Sequence, residues 1–181
     1  MQIQEDFSPE QLKDVDEAVC LAEELVSNYF KMSSGQWLRN RYDVRTAKDL
    51  SPDEMVQGPF AQVMGYEGRR KDTSLTSSVF TFYRICIQDA AILDALSSGK
   101  DMLLFPFLLY VAVHELVHVV RFGKFLQMYE ASSEVDSTMD EERRVHDLTH
   151  RILREVSVPG MASVLDHYRN WRSEKGLFMQ V

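Results

Sequence analysis

The stretch Val111-Ala112-Val113-His114-Glu115-Leu116-Val117-His118-Val119-Val120 decides how the rest of the 181-residue chain is read. It sets two histidines and a glutamate in an otherwise apolar run, and the run from Met102 to Val113 before it carries no charge at all. A buried helix accounts for such a run. It is roughly half a membrane span, and His114, Glu115 and His118 interrupt its continuation. Burying two imidazoles and a carboxylate is costly unless they are paired or bind a metal. Residues four apart on a helix lie one above the other, so His114 and His118 can face one cation. Glu115, beside the first histidine, can lean over that cation and take a proton from its bound water. The blander account is a pair of core histidines hydrogen-bonded to carboxylates, with Glu115 ion-paired. The ligand spacing inside an apolar helix favours the metal.

Outward from this segment the chain reads as mostly helical. Ser8-Pro9-Glu10-Gln11 offers a cap, a proline at the first helical position and a glutamine at the capping-box position. Leu12, Val15, Val19, Ala22, Val26 and Tyr29 then recur at helical spacing, and Ser33-Ser34-Gly35 predicts the end. Ser51-Pro52-Asp53-Glu54 predicts a second, shorter helix. Phe60–Tyr66 and Ser78–Ile87 read as strands around a polar turn at Gly68–Asp72, the second rich in β-branched and aromatic residues. They predict a small sheet of one hairpin plus another strand, which must pack on helices to be stable. Helices follow over Asp89–Leu96, about Asp101–Phe122 with a stop at Gly123, Lys124 to about Ser132, Ser137 to about Val156, and Met161–Trp171. The tail from Ser173 has no assignment. The expectation is an α+β fold: one mostly helical domain over 1–181, with a small sheet packed on the helix of the histidine pair.

Composition narrows the function. Lys plus Arg is 20 and Asp plus Glu is 28, a net charge of -8, which argues against a non-specific nucleic-acid binder. An apolar fraction of 45% supports a folded core rather than disorder. Cys20 and Cys86 do not make a disulfide scaffold, and the acidic start MQIQEDFSPE is not a secretory signal. The chain is therefore expected to be cytoplasmic, with no membrane and no nucleic-acid partner. Its oligomeric state is not legible.

His-Glu-Leu-Val-His with small and apolar neighbours resembles the active helix of zincin metallopeptidases, over Val111 to Val120. The resemblance implies zinc held by His114 and His118, water activated by Glu115, and a small sheet above the helix whose edge strand holds substrate. Ser78–Ile87 is the candidate edge by that analogy. Zinc needs a third protein ligand and leaves a fourth position open. The metzincin pattern does not fit, because Arg121 and Lys124 stand where its glycine and third histidine belong. The gluzincin-like pattern takes a glutamate from a later helix, and Glu141 and Glu142 follow His118 by 23 and 24 residues.

On a helical wheel Val145, Thr149, Ile152 and Val156 define the inward face of that later helix. Glu142, His146 and Leu153 flank one side; Glu141 and Leu148 flank the other. Glu142 is favoured as the third ligand. The resemblance implies an acidic residue four positions later, and His146 there is a departure. His146 is thus either a neighbour of the ligand or the ligand itself, oriented by Glu142. Glu141, Glu134, Glu130 and His150 are further alternatives, and an acidic first turn that suits the helix dipole is the blander account of the glutamate pair. Tyr110, Tyr129, His146, His150 and Arg121 are candidates to stabilise an oxyanion.

The function expected is a zinc-dependent hydrolase acting on a peptide or protein, with metal-activated water and Glu115 as general base. Two other classes compete. Glu115-x-x-His118 is also the spacing of di-iron or dimanganese helical carboxylate proteins, with Asp147-x-x-His150 a near-copy and Glu23 or Glu24 to add a carboxylate. A non-catalytic, zinc-stabilised binding protein is the second, and applies if a side chain closes the fourth metal position.

Overall fold

The computed structural model of the chain describes residues 6–69, 79–98, 101–129 and 138–169. It is a mostly helical domain with six helices and a three-stranded sheet among those residues, the sheet lying against the helix of the histidine pair. Helix α1 spans Pro9–Phe30. Ser8 caps it: its Oγ accepts from the Gln11 N–H, and the Gln11 side chain accepts from the Ser8 N–H at 2.8 Å. Val15, Ala18, Ala22 and Val26 form the buried stripe of α1, which packs along the helix of the histidine pair. The helix ends at Lys31, earlier than Ser33-Ser34-Gly35, because Ser34 begins a further short helix, α2 (Ser34–Arg39).

Strand β1 (Arg41–Arg45) pairs parallel with β3 (Val79–Ile87), and β2 (Ala61–Arg69) pairs antiparallel with β3. The order β1-β3-β2 makes β3 the central strand, which corrects its expected place at the edge. The strand bordering the site is β2. Tyr83, Ile85 and Ile87 on the inner face are buried. The opposite face carries Arg84, held by both oxygens of Asp43 and, at 2.9 Å, by Glu54.

The short helix expected at Ser51–Glu54 is a single turn. Glu54 folds back to accept from both the N–H and hydroxyl of Ser51 and from Tyr66. The Ser51 backbone bond, then Tyr66 and Arg84, hold its carboxyl down to about 2. Its capping pattern is thus spent on fastening a loop to the sheet.

Asp89 opens α3 (Asp89–Ser97) and fastens three segments. One carboxylate oxygen accepts from Phe7 N–H at 2.9 Å and the other from Ala47 N–H at 3.0 Å, in a position only 1% exposed. Asp89→Asn replaces one acceptor by an amide donor and leaves a buried N–H facing another donor. The expected cost is about 1–3 kcal/mol, read as a fall in thermal midpoint. An unchanged midpoint shows that the clamp contributes nothing.

Helix α4 (Leu104–Tyr129) is the axis of the fold, and every residue from Pro106 to Val120 is buried. Leu104–Lys124 is long and apolar enough to cross a membrane, yet 83% of its most apolar window is buried within the fold. The expected stop at Gly123 is absent. A methyl on Gly123 would meet the Asn40 side chain at 2.3 Å, so glycine here admits the α2–β1 corner against α4 and does not end the helix. The separate helix expected from Lys124 is the last turns of α4 as far as Tyr129.

Helix α5 (Thr138–Leu153) covers the histidine face of α4, with Val145, Thr149 and Leu153 buried. Helix α6 (Met161–His167) starts at Gly160, whose φ of 83° suits glycine, and closes the core with Val164 and Tyr168. The turn expected over 68–72 falls mostly outside the described residues, as do the chain beyond 169 and Glu130 and Glu134.

Candidate metal centre

Three side chains meet on the inner face of α5. His118 Nε2 lies 3.1 Å from one oxygen of Glu142, His114 Nε2 lies 3.4 Å from the other, and the two Nε2 atoms are 3.2 Å apart. Successive turns of α4 stack the imidazoles, and α5 carries the carboxylate down onto them. The donor set can be tested for fit. A cation about 2.0–2.2 Å from each of three donors in a tetrahedral arrangement separates those donors by about 3.3–3.6 Å. The observed contacts of 3.1–3.4 Å come close to that spacing, with the two imidazoles meeting different oxygens of the Glu142 carboxylate. His114 and His118 are 8% and 6% exposed, and neither Nδ1 has a hydrogen-bond partner among the described residues. Their Nε2 atoms, which face Glu142 and each other, are the ends presented to a ligand. The cluster of two histidines and a glutamate suits a divalent cation, with the arrangement of a zincin-like HExxH site in a mostly helical fold.

The electrostatics agree with one shared centre of charge. Burial would raise the Glu142 pKa, but the bonds from His114 and His118 hold it far below the usual carboxylate range. Burial works to lower the His118 pKa, and the bond to Glu142 with the charge of Glu115 outweighs it and raises the group. Glu115 is itself buried, and desolvation pushes its carboxyl up, against the pull of His114 and His118.

Glu141 turns the other way. Arg121 grips it through two bonds, at 2.5 and 2.7 Å, on the flank of α4. His146 joins the cluster: His114, Glu142 and His146 each offer a ligand atom within 4.8 Å of the others. His146 Nδ1 lies 2.7 Å from the Tyr110 hydroxyl, and its ring is 5% exposed. Asp147 pairs with Arg151 at 2.8 Å, Glu23 bonds to the Tyr42 hydroxyl, and Glu24 is exposed on α1. The carboxylates that a second metal requires are thus engaged elsewhere or face outward. His150 is partly buried further along α5, and the Tyr129 side chain lies outside the described residues.

All of this opens into a cleft of about 520 Å³. Its floor is His114, Glu115, His118, Glu142 and His146; one wall is Pro59–Val63 at the start of β2; Val111, Phe122, Tyr110 and Tyr168 complete it. Sequence reasoning did not find Tyr168 or the β2 wall. Tyr168 stands just past α6, and its ring lies parallel to Tyr110 at 3.9 Å. Its signal was an apolar-spaced aromatic after Met161 and Val164, which reads as core and says nothing of a cleft. Compared with protein-family models, with curated proteins and with solved structures, the chain has no match.

Proposed function

We propose that the chain, working as one domain over 1–181, is a zinc-dependent hydrolase that cleaves peptide bonds. The observation that carries this is the meeting of His114 Nε2, His118 Nε2 and the Glu142 carboxylate, 3.1–3.4 Å from one another at the floor of an open cleft, with buried Glu115 beside them. His114, His118 and Glu142 hold the zinc. Bound there, zinc supplies Lewis-acid chemistry, polarising a carbonyl and lowering the pKa of water. Glu115 takes the proton from the attacking water and delivers it to the leaving amine. Desolvation raises the pKa of its buried carboxyl, in the direction that suits a group that must both accept and give up a proton.

A peptide substrate is favoured by β2. Among the described residues β2 is an edge strand, and its first residues line the cleft. An extended chain can add to that edge by main-chain hydrogen bonds and so lie across the floor. The test is to load the purified chain with one equivalent of zinc and offer it unfolded protein and a broad set of internally quenched peptides. Hydrolysis that disappears with chelator and returns with zinc is expected. Two adjacent irons or manganeses per chain, or cleavage that survives chelation, overturns the reading.

A further inference from the structure

Helix α5 offers a pair of residues four apart, Glu142 and His146, to the pair four apart on α4, His114 and His118. His114, His118 and Glu142 account for the contacts described above, and His146 remains. It is buried, its ring centroid is 4.4 Å from that of His114, and one of its ligand atoms lies within 4.8 Å of those of His114 and Glu142. We infer that His146 is a fourth protein donor to the cation held by His114, His118 and Glu142, so that at rest the chain itself closes the metal centre. This rests on the metal-hydrolase reading and adds a form of regulation to it: substrate must displace His146 before hydrolysis.

The way His146 is held supports the assignment. A metal-binding histidine is usually oriented by a hydrogen bond from its other ring nitrogen. His146 is the histidine of the cluster for which such a bond is seen, Nδ1 to the Tyr110 hydroxyl at 2.7 Å, whereas Nδ1 of His114 and of His118 has no partner among the described residues. With Nδ1 bonded to Tyr110, Nε2 is the ring nitrogen assigned to the cation. Tyr110 is itself fixed, buried and stacked on Tyr168 with the two planes 4° apart. Four protein donors make a closed tetrahedral centre; three leave a place for water. Tyr110 thus orients the donor that decides between the two.

The number of imidazoles on zinc decides the question. Zinc-edge X-ray absorption of the zinc-loaded wild-type chain is expected to count three, and His146→Asn two. Asparagine keeps a polar atom near the Nδ1 position, within reach of Tyr110, and deletes the far nitrogen. With cobalt in place of zinc, the wild-type protein should show the intense visible bands of a four-coordinate ion. His146→Asn should show the weaker bands of a centre that has admitted water. Acetohydroxamate should bind the variant at least about 10-fold more tightly than wild type, and peptide hydrolysis should rise. Tyr110→Phe retains the imidazole without its support and should weaken zinc binding about 10–100-fold.

Two imidazoles in the wild-type protein, with cobalt bands unchanged by His146→Asn, overturns the inference and leaves the three-ligand hydrolase standing. Loss of hydrolysis in His146→Asn at unchanged zinc content overturns it too, by making His146 a group that serves the substrate. A wild-type chain that binds zinc through three imidazoles and never hydrolyses a peptide upholds the closed centre and sinks the hydrolase. The wild-type count stands even if the variant fails to fold.

Discussion

Glu115→Gln is expected to reduce peptide hydrolysis by about 10²–10⁴-fold, the usual worth of a positioned general base, while zinc content stays at the wild-type level. The two halves of this result have different causes. Glutamine matches the volume and shape of the side chain in a site only 7% exposed, so the packing around α4 is kept. His114, His118 and Glu142 meet without Glu115, so the metal is retained. What disappears is the proton acceptor: a neutral amide can orient a water but cannot take its proton. The loss should therefore fall on kcat with KM little changed, since no contact to bound peptide is removed. Zinc measured by atomic absorption and turnover of a single quenched peptide check both halves together. If metal is lost with the carboxylate, Glu115 is a ligand. The Glu115-x-x-His118 pair then belongs to a two-metal carboxylate centre.

The sequence carried the core of this site because helical periodicity is short-ranged. His114, Glu115 and His118 lie within two turns of one helix, so their common face follows from backbone geometry alone. Glu142 is different. Neighbouring residues on a helix point about 100° apart, and a wheel leaves Glu141 and Glu142 on opposite flanks of the same inward stripe. Arg121 separates them by pairing with Glu141 from the flank of α4. A guanidinium inside an apolar helix needs an acidic partner, so that signal was present in the sequence; assigning the partner required knowing how α4 and α5 pack. The sheet shows the same limit. The Ser78–Ile87 pattern located β3, but four of the five residues of β1 are charged or aromatic, and their partners lie 41 positions further along. Parallel pairing at such distance leaves no local trace, so the strand order was not legible and the central strand was expected at the edge. Gly123 misled for a related reason: glycine marks a helix end by local rules, and only the approach of Asn40 explains it within one.

Zinc removal should lower the thermal midpoint markedly, and Glu142→Ala should remove most of the difference between the metal-bound and metal-free proteins. Metal binds the folded chain, so it stabilises by mass action, about 2.7–4.1 kcal/mol when free zinc exceeds the dissociation constant 100- to 1,000-fold. For a chain of this length that corresponds to about 5–16 °C. The size should depend on pH, through the charges that meet when zinc is absent. Glu142 is depressed in the folded state, so its contribution is present above the unfolded carboxylate pKa and fades as acid protonates it. His118 is raised, so its contribution is full below the unfolded imidazole value of about 6.5 and fades as pH rises through the folded one. The metal-free pair is thus strongest in mildly acidic solution, between those two limits. Zinc also requires neutral imidazoles, which protons contest at low pH. Both effects act in the same direction, and the zinc-induced rise in midpoint should be larger at pH 8 than at pH 6. Scanning calorimetry at the two pH values, with and without chelator, measures it. In Glu142→Ala most of the alkaline increment should disappear, because the variant loses the one anionic donor and leaves only neutral imidazoles to hold zinc. Should that variant retain the full increment, Glu142 is not the third ligand, and His146 takes its place beside His114 and His118.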